Sequence, residues 1–171
     1  YKNKDYTTAL EHLDTVASRI KFYAEIQLIV GDIYYNRDNF SSAVSYFDKA
    51  FEYGLLSRKT EYYTRLKRAT CNYKTSNYKE AIEDLKKVRK YNPRNFKSIV
   101  LMAAINLKQD NDREALRYLI LAHRYRPKSN SLLLKIGNLY YKKKDHRYLT
   151  YYQKLYTRTK DTNPVPNKYL V

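Results

Sequence analysis

Glycine and proline are what this chain has least of, three and four among 171 residues, alongside one cysteine and no tryptophan. Such scarcity excludes the turn-rich design of an all-β protein and leaves helix as the default. The single thiol, Cys71, can close no internal disulfide, and alone it cannot build a thiolate metal site. No apolar run approaches the roughly 18 residues that a membrane-spanning helix needs. A glycine-rich phosphate loop and an HExxH pair are missing as well. There is no initiator methionine and no signal-like opening, so the numbered chain is expected to be a fragment or a processed product. The compartment stays open on this reading, cytoplasmic or exported.

Acidic residues are also few, 17 against 34 Lys and Arg, and the formal charge is +17. That balance invites a nucleic-acid or anionic-surface reading. Abundant Lys, Asn, Tyr and Ile are also what an AT-rich genome encodes by default, and a bacterial source is the expectation drawn from it. The charge is uneven: residues 1–61 hold 8 basic and 9 acidic side chains, residues 62–171 hold 26 and 8. Any role for the charge belongs to the second part.

What the chain does contain is a repeat. "NYKEAIEDLKKVRKYNP" (77–93) aligns with "NDREALRYLILAHRYRP" (111–127), so that Ala81, Leu85, Val88 and Pro93 meet Ala115, Leu119, Ala122 and Pro127. "NFSSAVSYFDKAFEYGL" puts Ala43, Phe47 and Ala50 in the same places, and "DYTTALEHLDTVASRIK" does so with Ala9, Leu13 and Val16. The alanines step by 34, 38 and 34 residues, and Leu149 lies 34 beyond Ala115. With the aromatic residue three before the alanine, Tyr78 or Phe40, offsets of three, four and three place these side chains on one helical stripe. Asn77 with Glu80, and Asn111 with Glu114, have the spacing of a capping box. Between these helices lies a second set, "AEIQLIVGDIYYNRDN", "YYTRLKRATCNYKTSN", "FKSIVLMAAINLKQDN" and "NSLLLKIGNLYYKKKD", with Gly31, Ala69, Ala103 and Gly137 at the eighth place. Glycine inside a helix costs about 1 kcal/mol against alanine, so a close helix crossing is the reason to keep it. Gly54 follows a helix end and suits a C-terminal cap.

This pattern resembles the tetratricopeptide repeat family across nearly the whole chain. The resemblance implies an all-α fold, a right-handed superhelical solenoid of stacked antiparallel helix pairs. Repeats are expected at about 24–57, 62–95, 96–129 and 130–163, preceded by a lone second helix at 5–20 and followed by an extended tail over 164–171. Arg65 and Arg68 stand where the pattern has an aromatic and a leucine, and four extra residues in "GLLSRKTEY" precede the second unit. The last unit has Leu149, Gln153 and Tyr156 in place of Ala, Phe and Ala.

In this family the first helices line a concave groove. Carried over, the groove places are Glu25, Leu28, Asp32 and Tyr35, then Tyr63, Leu66, Thr70 and Tyr73. The third and fourth units contribute Lys97, Val100, Ala104 and Leu107, then Ser131, Leu134, Asn138 and Tyr141. Leu66, Thr70, Leu101, Ser131 and Lys135 replace the family's Lys and Asn carboxylate clamp, so the resemblance implies no chaperone-tail receptor. A mixed aromatic and aliphatic groove suits a peptide or helix of another protein. The alternative is nucleic acid or another polyanion on a basic surface. Its residues are Lys86, Lys87, Arg89 and Lys90, then Arg117, Arg124 and Arg126, then Lys142, Lys143, Lys144 and Arg147. An enzyme is not expected: His12, His123 and His146 have no spaced partner, Asp110/Asp112 mark a turn, and Glu83/Asp84 read as a solvated face. No cofactor or metal is implied, and self-association through exposed repeat ends is left open.

Overall fold

The structure, a computed structural model, describes residues 3–54 and 56–159. Every regular element among the described residues is an α-helix: α1 (Asn3–Asn36), α2 (Phe40–Glu52), α3 (Arg58–Lys74), α4 (Tyr78–Tyr91), α5 (Phe96–Lys108), α6 (Asp112–Tyr125), α7 (Asn130–Lys142) and α8 (Arg147–Thr159). They form two compact units, Tyr1–Pro93 and Arg94–Val171. In the first, α1 packs on α2, α3 on α4, and α2 on α3; in the second, α5 packs on α6, α7 on α8, and α6 on α7. Each unit is thus a stack of helix hairpins, the all-α repeat architecture expected from the pattern. The expected tail at 164–171 lies outside the described residues.

One turn joins the two helices of every hairpin. Asp38, Ser76, Asp110 and Lys144 adopt the left-handed conformation, with φ between 53° and 64°. The N–H of the next residue reaches back five positions, as from Asn77 to the Asn72 carbonyl at 2.7 Å and from Asn111 to that of Asn106 at 2.8 Å. This 6→1 bond is the Schellman closure of a helix C-terminus. Asn39, Asn77 and Asn111 then serve as N-caps of the second helices, and the Asn39 side chain accepts from the Ser42 N–H at 3.2 Å. Asn77 and Asn111 make no side-chain capping bond, so the capping-box spacing marks the right position without the expected bond. At Gly54 (φ +66°) the chain leaves α2 as the cap expectation required.

The apolar stripe is the core. Ala43, Phe47 and Ala50 on α2, Ala81 and Leu85 on α4, and Ala115 and Ala122 on α6 are fully buried. A Cβ on Gly31 would come within 2.7 Å of the Phe47 ring, and one on Gly137 within 2.5 Å of the Tyr152 ring. Both glycines therefore buy a close aromatic seat at the cost of helix propensity.

Three local expectations change. Residues 5–20 are not a separate helix, because α1 runs unbroken over 34 residues; "SRIKFYAEI" offers neither proline nor glycine to stop it. The four extra residues before the second unit are a helical turn. Ser57 caps α3 by accepting from the Thr60 N–H at 3.1 Å, and α3 spans 17 residues where α5 and α7 span 13. In α8 the buried residues are Tyr152 and Leu155, while Leu149 is 52% exposed and Gln153 faces solvent. One residue is about 100° of helix rotation, and turning α8 by that step buries a tyrosine ring instead of the Gln153 amide.

Candidate functional site

The groove residues of the first unit divide between packing and surface. Leu28 and Tyr35 pack on the cluster of Ala43, Phe47 and Cys71, and Leu66 is buried. Asp32 accepts a charge-assisted hydrogen bond from Lys67 at 2.5 Å, which ties α1 to α3. Thr70 donates its hydroxyl to the Leu66 carbonyl at 2.8 Å, and the half-buried Tyr73 ring lies 6.1 Å from that of Tyr78. Tyr63 remains, 52% exposed and edge-on to Tyr62 with 4.9 Å between centroids. Glu25 is exposed beside Lys21.

In the second unit Lys97 is exposed, and Val100, Ala104 and Leu107 are half-buried. Val100 lines a cleft of about 680 Å³ with Phe96, Leu132, Arg126, Lys128 and Lys135. Arg126 covers the Phe96 ring at 3.9 Å. On α7 Leu134 is 39% and Tyr141 63% exposed, and Asn138 accepts a hydrogen bond from the Tyr152 hydroxyl at 2.7 Å. The outward large side chains of the two rows are therefore Tyr63, Leu134 and Tyr141.

The two arginines that break the pattern in α3 have a joint purpose. Asp84, read from sequence as solvated, is 1% exposed. It accepts from Arg65 Nη1 at 2.8 Å and from Arg68 Nε and Nη2 at 2.7 and 2.8 Å. Glu61 holds the other edge of Arg65 at 2.7 Å, and Asp48 pairs with Arg68. Both guanidinium groups lie 4.5 Å from the centroid of the Phe51 ring. Burial pulls the Arg68 pKa down, but the hydrogen bonds and charges of Asp84 and then Asp48 outweigh it, and the net shift is upward.

Next to this network the added turn of α3 and the last turns of α4 enclose a cleft of about 500 Å³. Tyr62, Val88 and Tyr91 form its apolar side, with the two rings 5.0 Å apart, and Arg58, Lys87 and Lys90 its cationic side. None of those three cations has an anionic partner among the described residues. The sequence reading missed this cleft; the four-residue insertion was its only signal.

The other basic residues are more often committed. Arg117 pairs with Glu114 at 2.9 Å, Lys142 with Asp112 at 2.9 Å, and Arg147 with Asp145 at 2.6 Å. Hydrogen bonds from Arg147 bring the Asp145 carboxyl down to about 2, and hydrogen bonding to Asp112 raises Lys142. Lys86, Arg124, Lys143 and Lys144 are exposed, and Arg89 is half-buried. Burial, with the charges of Arg158 and Lys154, holds His123 below the usual imidazole range. Cys71 is fully buried. Among the described residues no group of three His, Cys, Asp or Glu could hold a metal ion, and no helix is long and apolar enough to cross a membrane.

A family model described as anaphase-promoting complex, cyclosome, subunit 3 matches residues 36–122, just over half of the chain. No curated protein matches. Among solved structures the chain is similar to residues 41-end of MamA from Desulfovibrio magneticus RS-1, 17% identical over 82% of this chain and 77% of that one, with a TM-score of 0.69. It is similar to YrrB, a TPR protein with an unusual peptide-binding site, at 16% identity, 92% and 85% coverage and a TM-score of 0.68. The Hsp90 co-chaperone Cns1 of Saccharomyces cerevisiae is 21% identical over 81% of this chain and 45% of its own, with a TM-score of 0.63. At these identities the structural likeness concerns the fold alone.

Proposed function

The chain belongs to the tetratricopeptide repeat family represented by the anaphase-promoting complex, cyclosome, subunit 3 model, and on that premise we propose that it is a non-enzymatic scaffold for another protein. Its ligand is a peptide or helix whose apolar side chains seat on the first-helix faces. The observation that carries this reading is the exposure of Tyr63, Leu134 and Tyr141, at 52%, 39% and 63%, where the other large apolar side chains of the two rows are buried or half-buried. Large apolar groups held in water by rigid helices gain free energy, about 25 cal/mol per Å² of buried apolar area, when a partner covers them. Binding of a peptide by the similarly folded YrrB is consistent with this use of the scaffold.

Panning the immobilised protein against a random-peptide display library tests the reading. Peptides bearing spaced aromatic or aliphatic anchors are expected. Leu134→Ser with Tyr141→Ser, both in the second unit, is expected to weaken them at least tenfold, about 1.4 kcal/mol, with the helical circular dichroism unchanged. Equal affinity for the doubly substituted protein would remove the groove assignment.

Anion binding is a second reading, supported by the Tyr62–Tyr91 cleft with Arg58, Lys87 and Lys90 around it. Filter binding of an oligo-dT strand is its test. Retention that falls steeply as salt rises through about 150 mM, and that Lys87→Glu with Lys90→Glu abolishes, is the expected result.

A further inference from the structure

Helix α1 leaves one face without a partner among the described residues. In every later first helix the third and tenth repeat positions are buried: Thr64 and Cys71 in α3, Ser98 and Ile105 in α5, Leu132 and Leu139 in α7. The matching residues of α1 are Ile26 and Ile33, with Ile29 between them. Ile33 is 45% exposed, Ile29 62%, and Phe22 two turns earlier 59%. Four apolar side chains thus line a continuous stripe at offsets of four, three and four.

The contact that would cover this stripe occurs one repeat later. There α2 covers α3, and Ala43, Phe47 and Cys71 form a fully buried cluster. Shifted back one repeat, Ala43 and Phe47 become Ala9 and Leu13, and Cys71 becomes Ile33. The chain therefore carries both halves of a further second-helix to first-helix contact. A single copy cannot make it in this conformation. Residues 9 and 33 lie on the one unbroken helix, 24 positions apart, which is about 36 Å at the α-helical rise.

We propose that residues 5–20 of a second copy dock on the Phe22–Ile26–Ile29–Ile33 face of α1, and reciprocally, so that the chain forms a helix-exchanged dimer. Exchange of an identical element makes in trans the contacts that a folded-back helix would make in cis. What selects the exchange is the junction. Second helices α4 and α6 end before Asn92-Pro93 and Arg126-Pro127, whereas residues 19–23, Arg-Ile-Lys-Phe-Tyr, contain only residues that continue a helix. Folding back at that point would break backbone hydrogen bonds that the straight helix keeps. Each chain inserts a helix of roughly four turns and receives another, and so reaches the scale of a specific interface, about 800 Å² per partner. The exchanged helix continues the α3–α2 stack by one member and leaves the outward Tyr63 free for a ligand.

Light scattering of the 171-residue chain is expected to give about twice its 20.6 kDa mass. Ile29→Asp with Ile33→Asp is expected to give the single mass with α2 to α4 still helical. Two further experiments identify the geometry. Leu13→Cys protein refolded with Ile33→Cys protein is expected to form a disulfide-linked heterodimer, while Ile33→Cys alone is not; Cys71, fully buried, stays out of the exchange. Ile20→Asn with Lys21→Pro, which copies the Asn92-Pro93 junction in the repeat register and spares Phe22, is expected to close the helix in cis and return a monomer. A monomeric native chain, Ile33→Cys linking to itself, or a dimer unchanged by the junction variant would each overturn the proposal.

Discussion

Replacing Asp84 by alanine is expected to destabilise the α1–α4 unit by about 3–5 kcal/mol, the range for removing one partner from a buried ion pair. The carboxylate is 1% exposed and is the common acceptor for Arg65 and Arg68, whose side chains are 13% and 20% exposed. Without it, two cations remain in a site that water barely reaches. Glu61 and Asp48 then offer only partly exposed compensation, at 41% and 46%. Urea unfolding followed by helical circular dichroism measures the loss; a change below about 1 kcal/mol would mean that both guanidinium groups regain solvent at little cost. A companion variant separates charge from packing. Arg65→Leu, Arg68→Leu and Asp84→Leu together remove every charge of the triad, and stability is expected to return to within about 1 kcal/mol of the native chain, or above it.

The second large effect concerns Phe47. Its ring is fully buried, it anchors the cluster with Ala43 and Cys71, and it rests on the bare backbone of Gly31. Phe47→Ala is expected to cost about 3–5 kcal/mol through lost burial and a residual cavity. Gly31→Ala probes the same contact from the other side. Its methyl group would gain about 1 kcal/mol of helix propensity, yet it would sit 2.7 Å from the ring, and such overpacking costs about 1–3 kcal/mol. Alone it is therefore expected to destabilise. In a Phe47→Leu background, where the ring edge is gone, the same alanine is expected to be neutral or stabilising. That change of sign in a double-mutant cycle reads the contact directly, and strict additivity would show that the two residues do not meet.

Much of this was legible along the chain, and the reason is periodicity. The stripe of Ala81, Leu85 and Val88, and its copies, repeats because each helix pair buries the same face, so spacing gave the helices and the family resemblance their hairpins. Even departures carried information: four inserted residues became one turn of α3, since four is close to a helical period. Misreadings arose where a residue's neighbours come from another helix. Asp84 looks solvated beside Glu83 and becomes buried only because Arg65 and Arg68 approach it from α3. Gln153 holds the core register, but the Tyr152 ring beside Gly137 decides which way α8 turns.

By itself, the order of residues determined the all-α class, the repeat length and the two glycine seats, because those follow from local periodicity and from which side chains avoid water. Tertiary structure alone decided which groove residues are consumed by packing, which cations are neutralised, and that α1 continues straight through its expected break. Those outcomes depend on distances between segments remote in the chain, where burial and charge pairing are settled by what arrives from outside the segment.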